Sequence, residues 1–405
     1  VPWNRSTGLP LAHALSWQDT RAAHELREMG AFRGEIREKT GLFPSPHYGA
    51  SKIRWLLQNS RPVQEAQDSG QLVIGPLSSF LCFHLIHGAP LVVDHANAAR
   101  TLLWNMRTQD WDKWLLDLFE IPRSVLPDVV PIRSSFGALK TEHLLLKSGE
   151  EKREMPVYAV SGDQNAAYIG VGGSENNRLV VNIGSGAFCM ARIADVGSVS
   201  ESLLVSLVDS GAHSDIQYVI EGTVNGAGTA LLWLGEQMGT QLEEVQWKQI
   251  EDPAIFLNCV GGLGSPWWRT GIRSSWEQTA APVSPEEQKA AVMESILFLL
   301  YKNFEVMRES LVSSDSSAAW SEPSEIIVAG GLSQDEELCQ RMANLFGISV
   351  VRPKESEATA RGIAWLASRQ SLHFPASWRD VFLPNLGTNI SGRYKKFLKA
   401  LHELC

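Results

Sequence analysis

The stretch of sequence that says most about the fold runs from Leu179 to Phe188 and reads Leu-Val-Val-Asn-Ile-Gly-Ser-Gly-Ala-Phe. Its first five residues are mostly apolar and β-branched, which is typical of a buried strand. The turn Gly184–Gly186 then leads into a second apolar segment. This pattern predicts a β-hairpin whose glycine turn lets main-chain N–H groups approach an anion such as phosphate. By itself it is a weak functional signal, since a glycine after a strand is most often only a turn.

A second unit of strand and turn lies upstream, where Val157–Val160 runs into Ser161-Gly162-Asp163-Gln164. A carboxylate directly after a buried strand and beside a glycine is expected to be exposed at the edge of a sheet. There Asp163 could accept a proton from a substrate hydroxyl as a general base. The alternative interpretation is a turn aspartate that caps the following helix, which is a common role for this residue type. The tetrapeptide leaves both interpretations open.

The second half of the chain alternates predicted strands and helices around glycine turns. A helix that opens with small residues is expected over Thr223–Leu234, and a long helix over Glu286–Leu311, where apolar residues recur every three or four positions. The run Ile326–Ala329 predicts a buried strand that ends in Gly330-Gly331, followed by a helix at about residues 334–346. This alternation is typical of α/β folds. Neither glycine turn matches GxxxxGK[ST] or GxGxxG, so neither identifies a nucleotide site alone.

The N-terminal part carries another candidate site. Residues 18–38 have the apolar spacing of a polar helix, and Trp17-Gln18-Asp19-Thr20-Arg21 stands at its start. An aromatic ring beside amide, carboxylate and guanidinium groups is suited to binding a polyol. The alternative is that Trp17 belongs to the core at the beginning of a helix. His84 and His87 have helical spacing, but no neighbouring ligand completes a metal set, so we interpret them as structural.

The composition restricts the class of protein. With 405 residues, two domains are expected at about 100–200 residues each. The chain has 36 basic and 45 acidic residues, and its net charge of −9 without a basic stripe argues against a nucleic-acid partner. No apolar run reaches the roughly 18–20 residues of a membrane span, and no signal peptide is recognisable at the start. The five scattered cysteines lack a CxxC pair, which favours a reducing, cytoplasmic location over a disulfide framework or zinc site.

An ordered set of motifs resembles the FGGY carbohydrate kinases, and most of all the glycerol kinases among them. No single motif is decisive, whereas the collinear set over most of the chain is specific. The motifs are, in chain order, Trp17–Arg21, Thr40–Leu42, Lys52–Leu56, Asp94–Thr101, Trp111-Asp112, Gly162–Ala167, Gly184–Phe188, Glu221–Thr223, Gly262–Trp268, Ala329–Leu332 and Glu357–Gly362.

The resemblance implies a two-domain, actin-like and ribonuclease H-like α/β fold with the active site in the cleft between the domains. Residues 1–173 would form the substrate-side domain and 174–405 the nucleotide-side domain, joined near the glycine cluster Gly170–Gly173. The implied reaction is ATP-dependent phosphorylation, with Mg²⁺, of a hydroxyl of a small polyol or sugar, with glycerol and a ketose among the candidates. A homodimer is a further expectation.

The resemblance also implies roles for individual residues. Asp163 becomes the general base and a magnesium ligand. The implied substrate contacts are Trp17, His47, Gln164 and Phe188. The implied phosphate and adenosine contacts are Gly184, Ser185, Gly186, Gly330, Gly331 and Leu332.

This sequence departs from the family pattern at several points. Relatives begin with a strand pair that carries an Asp-Gly-Thr hairpin, followed by a substrate-binding Arg-Glu pair. Neither lies upstream of Trp17, so we expect about 80 residues of the first domain to be missing from this chain. His47 replaces an aromatic residue, Arg269 replaces an acidic or amide residue, and Pro282 stands at an expected glycine.

Two other functions are compatible with the same residues. The first is a degenerate or truncated family member that binds a sugar or a protein partner without catalysis. The second is an actin-like ATPase without a sugar substrate, which is less well supported because Trp17, Gln164 and Phe188 would then have no role.

Overall fold

The computed structural model describes residues 1–140, 154–174, 177–194, 196–211, 216–239, 242, 245–277, 284–312, 322–354, 357–368 and 379–404. Pro282 therefore lies outside the described residues. In chain order, the first elements are β1 (Pro2–Asn4), α1 (Arg33–Thr40), α2 (Gly49–Asn59), α3 (Arg61–Asp68), β2 (Leu72–Ile74), α4 (Leu77–Leu85), β3 (Val92–Asp94), α5 (His95–Ala99), β4 (Trp104–Asn105), β5 (Asp110–Trp111), α6 (Lys113–Leu118), β6 (Asp128–Val130), β7 (Arg133–Ala138), β8 (Pro156–Ala159) and α7 (Asp163–Gly170).

The later elements follow in the same numbering, and short 3₁₀ helices lie between some of them. They are β9 (Arg178–Ile183), β10 (Ala187–Ile193), β11 (Leu204–Ser210), β12 (Ile216–Val224), α8 (Gly228–Met238), β13 (Phe256–Leu257), β14 (Ser275–Trp276), α9 (Pro285–Val312), β15 (Glu325–Ala329), α10 (Glu336–Phe346), β16 (Ser349–Pro353), α11 (Ala358–Ala367), β17 (Arg379–Phe382) and α12 (Ile390–Leu404).

The chain forms two compact units. Unit 1 consists of Val1–Gly170, Val205–Tyr218 and Glu357–His373. Unit 2 consists of Val171–Leu204, Val219–Ser356 and Phe374–Cys405. The sequence predicted two domains with a single boundary near residue 173, and this stays a prediction. The two compact units are not divided at one point, because the later segments Val205–Tyr218 and Glu357–His373 belong to unit 1.

Helix α7 of unit 1 packs with its backbone directly against α11. A Cβ atom on Gly170 would lie 1.8 Å from the carbonyl oxygen of Ala358, and one on Gly362 would lie 1.7 Å from that of Ala166. Both positions therefore need glycine because of close approach and not because of a positive φ. This contact fixes the helix on which Asp163 is the first residue.

The segment Val205–Tyr218 adds further ties within unit 1. Asp209 on β11 is fully buried and accepts a hydrogen bond from Arg133 Nε at 2.9 Å. The amide of Val205 donates to the carbonyl of Gly41 at 2.9 Å. Because these partners are far apart in sequence, unit 1 depends on non-local contacts.

Unit 2 is built on a sheet in which the strands follow the order β12-β10-β9-β15-β16-β17. The predicted hairpin is confirmed, since β9 and β10 pair antiparallel with Ala187 opposite Ile183. Strand β15 pairs parallel to β9, with Ala329 opposite Asn182, and parallel to β16. Carboxyl ends of neighbouring parallel strands meet at one edge of a sheet, so the two glycine turns lie side by side.

A buried ion network joins three helices of unit 2. Glu294 on α9 is 2% exposed and accepts hydrogen bonds from Arg341 of α10 at 2.7 Å and from Arg393 of α12 at 2.6 Å. Arg341 also donates to Glu337 at 2.7 Å. The paired charges satisfy one another where water is excluded, which ties α12 to the unit.

Two sequence-based helix predictions are wrong at their starts. The helix predicted over residues 18–38 begins only at Glu25, as a 3₁₀ turn, and becomes α1 at Arg33. The reason is local, because the Asp19 carboxylate binds the Arg21 amide at 3.0 Å and so competes with helical hydrogen bonding. The helix predicted from Thr223 begins at Gly228, because Thr223 still belongs to β12.

Candidate active site

The two glycine turns of unit 2 form one group of candidate site residues. Gly330 has φ +90°, and a Cβ atom there would lie 2.5 Å from the carbonyl oxygen of Ile183, directly before Gly184. The turn Gly184–Gly186 and the turn at Gly330-Gly331 are therefore adjacent. Ser185 and Gly331 are exposed and Leu332 is half-buried, so all three can contact a ligand.

Helix α8 supports the first glycine turn. The Ser185 carbonyl accepts hydrogen bonds from the amides of Ala227 at 3.1 Å and Thr229 at 3.0 Å, and the Gly184 carbonyl accepts one from Gly228 at 2.9 Å. A Cβ atom on Gly228 would lie 2.8 Å from that Gly184 oxygen. The first amides of α8 are thus bound to the turn, and they hold it in shape rather than receive an anion themselves.

Sequence reasoning missed this support. It treated the small residues Asn225-Gly226-Ala227-Gly228 only as the opening of a helix. Three glycine-containing segments, each after a strand of the same sheet, are the signal that would have indicated a shared site.

The second turn continues into a well-anchored helix. Asp335 caps α10 by accepting the amide of Leu338 at 3.0 Å, and its other oxygen accepts the indole N–H of Trp247 at 2.7 Å. Leu332 lies between this cap and Gly330, within the 3₁₀ turn Gly331–Gln334. Phe188, a predicted substrate contact, is half-buried on β10 opposite Asn182.

Asp163 is a candidate site residue of unit 1. It is exposed, and its Oδ1 accepts the amide of Gln164 at 2.7 Å. Among the described residues its carboxylate forms no ion pair. This bond reaches only the next amide, whereas a capping side chain accepts the amide two or three residues on, and the exposed carboxylate agrees with a general base. The side chain of Gln164 is exposed beside it.

The start of α7 is fixed from two sides. The Asn165 side-chain amide donates to the carbonyl of Leu207 on β11. The Thr359 hydroxyl of α11 donates to the main-chain carbonyl of Asp163 at 3.4 Å. These contacts leave the Asp163 carboxylate available while they restrain its backbone.

Trp17 and His47 form a further group of candidate site residues in unit 1. Trp17 is 60% exposed, so the interpretation of Trp17 as a core residue is wrong. Its ring centroid lies 5.0 Å from that of His47, which in turn lies 5.3 Å from Tyr48. Exposed aromatic rings in contact provide an apolar wall on which the C–H groups of a polyol can pack.

The charged neighbours of Trp17 pair with each other. Asp19 and Arg21 form an ion pair of 2.9 Å, and hydrogen bonding to Arg21 holds the pKa of the Asp19 carboxyl below its ordinary value. The Arg21 guanidinium also lies 4.8 Å from the Trp55 ring centroid. His84, interpreted as structural, bonds with the Gly8 carbonyl at 3.0 Å.

A magnesium ion fits the chemistry of Asp163. Within the described residues there is no cluster of three or more His, Cys, Asp or Glu side chains that could hold a metal ion. Magnesium in phosphoryl-transfer sites is commonly held by one or two carboxylates, with nucleotide phosphates and water as the other ligands. A single exposed carboxylate such as Asp163 is compatible with that mode.

The remaining sequence-based expectations concern cysteines and membranes. Cys82, Cys189, Cys259 and Cys339 are buried and free, and burial raises the pKa of the Cys189 thiol to about 12. None of the helices in the described ranges combines the length and the apolar character that crossing a bilayer requires.

Two domain models of a known protein family match this chain. The N-terminal domain model of the FGGY family of carbohydrate kinases matches residues 1–170, and the C-terminal domain model matches residues 179–371. Glycerol kinase 1 of Thermotoga maritima is 30% identical over 411 residues, which cover 97% of this chain and 80% of the relative. The glycerol kinase of Mycoplasmoides gallisepticum is 31% identical over 377 residues, covering 91% and 72%.

Solved structures show the same fold. The Plasmodium falciparum glycerol kinase with ADP superposes with a TM-score of 0.84 at 24% identity, covering 100% of this chain and 81% of that one. A ligand-bound xylulose kinase from Lactobacillus acidophilus gives 0.77 at 22% identity, covering 97% and 79%. The expected two-domain actin-like, ribonuclease H-like α/β fold and the expected class of ATP-dependent carbohydrate kinase are confirmed. The chain belongs to the FGGY family of carbohydrate kinases.

Proposed function

We propose that this protein transfers the γ-phosphoryl group of ATP to a primary hydroxyl of a small polyol, with glycerol as the first candidate and Asp163 as the general base. The observation that carries the proposal is the exposed Asp163 carboxylate, without an ion pair among the described residues, on a helix start that Leu207 and Thr359 restrain. Glycerol is placed first because the relatives with 30–31% identity are named glycerol kinases. Xylulose, named for a structural neighbour, is the alternative acceptor.

In this mechanism, Asp163 takes the proton of the attacking hydroxyl. The substrate oxygen forms a bond to the γ-phosphorus, the bond from phosphorus to the bridging oxygen breaks, and ADP leaves. Positioning and electrostatic stabilisation account for most of the catalysis in such a reaction, so one carboxylate to orient the hydroxyl is sufficient. Magnesium, when bound, neutralises charge on the phosphates, and Asp163 is its protein ligand in this proposal.

The other predicted residues take binding roles. Trp17 and His47 pack on the carbon skeleton, and the exposed amide of Gln164 hydrogen-bonds a hydroxyl next to the reacting one. Phe188 adds an apolar contact. The turn Gly184–Gly186 receives phosphate through main-chain N–H groups, and Gly330, Gly331 and Leu332 contact the adenosine.

The test is a coupled ADP-release assay of the purified protein with ATP, Mg²⁺ and a panel of glycerol, other polyols and ketoses. Asp163→Asn should lower kcat by about 10²–10⁴-fold, because the amide cannot accept the proton, and the variant should still bind ATP through the glycine turns. Asp68→Asn, at an exposed carboxylate on α3, is the matched control and should have wild-type turnover. Near-normal turnover of Asp163→Asn would refute the general-base role.

The same assay decides between the proposal and the alternatives. A protein that binds polyol in calorimetry but releases no ADP with any acceptor is the non-catalytic relative. ADP release that no acceptor increases indicates an ATPase without a sugar substrate. The predicted homodimer is tested separately by light scattering coupled to size-exclusion chromatography.

A further inference from the structure

Lys52, on the first turns of α2, is a buried lysine with an unusual pair of partners. The residue is only 6% exposed. Its ammonium group donates to the main-chain carbonyls of Pro46 and, at 3.5 Å, of Tyr48. These two carbonyls stand directly before and directly after His47. The lysine therefore binds the turn on both sides of the residue that packs against Trp17.

The other side of the aromatic wall is linked to the same lysine by charge. Desolvation by burial lowers the pKa of Lys52 below its ordinary value, and attraction to the Asp19 carboxylate offsets part of that effect. Asp19 stands two residues after Trp17 and responds in turn to the Lys52 charge. The Lys52 ammonium group therefore interacts with the segment that carries His47 and with the segment that carries Trp17.

Burial of an ammonium group is unfavourable unless hydrogen bonds and opposite charge compensate for it. A methionine of similar length would fill the same space without that cost. The contacts that distinguish lysine from methionine here are those to the carbonyls around His47 and to Asp19. We therefore expect the lysine to act on the conformation of the Ser45–Tyr48 turn.

We propose that Lys52 is a positioning residue, which holds the Ser45–Tyr48 turn so that His47 stays packed against Trp17 as a preformed wall for the polyol. The inference rests on the proposed function in one respect, namely that this wall contacts the acceptor substrate. It assigns to Lys52 no contact with the substrate and no part in proton transfer.

The chain contains a matched control for this role. Lys289 of unit 2 is 8% exposed, and its ammonium also donates to two main-chain carbonyls, those of Leu242 at 2.7 Å and Val245 at 2.8 Å. Lys289→Met therefore removes the same kind of interaction away from the aromatic wall. A purely structural effect of losing a buried lysine should be common to both variants.

The first readout is kinetic. Lys52→Met should raise KM for glycerol by about tenfold, with kcat and KM for ATP within about twofold of wild type, because a loosened wall binds more weakly without changing the reacting groups. Lys52→Arg keeps the charge and the donors and should restore most of the affinity. Lys289→Met should leave KM for glycerol unchanged. In a His47→Ala background, Lys52→Met should add little, since both changes remove the same contact.

The second readout needs no substrate. Hydrogen exchange of a peptide that covers residues 43–51 should be about tenfold faster in Lys52→Met than in wild type, because the turn opens more often. In Lys289→Met that peptide should exchange at the wild-type rate.

The two readouts separate the inference from the proposed function. If wild-type protein phosphorylates no polyol, the proposed function fails, and the exchange comparison alone decides whether Lys52 holds the turn. If wild-type protein is active, unchanged exchange or an unchanged KM for glycerol in Lys52→Met overturns the inference. An equal rise of KM in Lys289→Met also overturns it, because the effect would then be general destabilisation.

Discussion

Gly330 lies so close to Ile183 that a Cβ atom on the glycine would be 2.5 Å from the Ile183 carbonyl oxygen. The contact joins the ends of two neighbouring parallel strands, β15 and β9, and it brings the two glycine turns of unit 2 together. Gly330 also has a φ of +90°, which a residue with a side chain rarely adopts. Glycine is therefore required there both by the backbone conformation and by the space available.

We expect Gly330→Ala to destabilise unit 2 by about 2–4 kcal/mol and to raise KM for ATP, because the strand ends must separate to admit the methyl group. Urea denaturation and steady-state kinetics measure the two effects. The control is Gly239→Ala, at the end of α8, where φ is +64° but no atom lies within 4 Å of the added Cβ. That variant should lose only about 1 kcal/mol. Equal losses in the two variants would contradict the role of the Ile183 contact.

The contact between α7 and α11 gives a second prediction. Gly362→Ala should destabilise unit 1 by about 3 kcal/mol or more, and it should lower kcat, because the added methyl group would push α7 and Asp163 out of place. Gly34→Ala, at an exposed position of α1 where no atom lies within 4 Å of the added Cβ, should be neutral or stabilising by up to about 1 kcal/mol. Thermal unfolding measures both variants, which should change stability in opposite directions. If Gly362→Ala left the stability unchanged, it would contradict the close packing of α7 and α11.

The buried network around Glu294 gives a third prediction. Glu294→Gln should lower the free energy of unfolding by about 3–5 kcal/mol, because Arg341 and Arg393 would both lose their buried counter-ion and keep only the less buried carboxylates of Glu337 and Asp252. Glu65→Gln removes the exposed partner of Arg61 on α3 and should change stability by less than about 0.5 kcal/mol. Denaturant titration measures both variants. A small effect at Glu294 would contradict the prediction and show that Glu337 and Asp252 are sufficient partners for the two arginines.

Two adjacent buried groups of unit 1 should give opposite pH dependences. Burial raises the pKa of Asp94 to about 6 and lowers the pKa of His95 to about 4. For Asp94 the folded state holds the proton more tightly, so its contribution to stability falls as the pH rises from about 4 to 6. For His95 the unfolded state holds the proton more tightly, so its contribution is complete above about 6.5 and is lost as the pH falls towards 4.

Single variants should separate these two contributions. The stability of Asp94→Asn, which retains a side chain able to cap α5, should increase relative to wild type as the pH rises, by up to roughly 1.4 kcal/mol per pH unit. The stability of His95→Gln relative to wild type should instead increase as the pH falls. Urea denaturation at several pH values between about 4 and 7 measures both differences. The same sign in both variants would contradict the assignment.

Much of unit 2 could be predicted from the sequence, because its signals are local. The apolar run before Gly184 and the glycine turn after it specify a hairpin, and the spacing of apolar residues over 286–311 specifies a long helix. Each pattern lies within one element, where periodicity and turn chemistry report directly on backbone structure. Ser185 and Gly330, and Asp163 of unit 1, are candidates for the same reason, and their roles stay predictions.

The exposed site around Trp17 was harder to predict. Sequence periodicity favoured a helix and left the ring either buried or exposed. The structure shows an exposed ring against His47, beside an Asp19–Arg21 pair that replaces helical hydrogen bonds. The hydrogen bond from the Arg21 amide to Asp19 competes with helical hydrogen bonding at this point, and no periodic pattern reports such a bond.

The sequence by itself determined the hairpin, the long helix, the glycine turns and the ordered motifs of the family. The tertiary structure alone decided which of these elements meet. Gly170 and Gly362 are separated by nearly half the chain, yet their helices are in backbone contact, and Lys52 binds the carbonyls around His47. The type of a residue determines its local conformational preference, and this can be read from the sequence. Which distant residue it contacts depends on how whole helices and strands pack, and no single segment of the sequence specifies that packing.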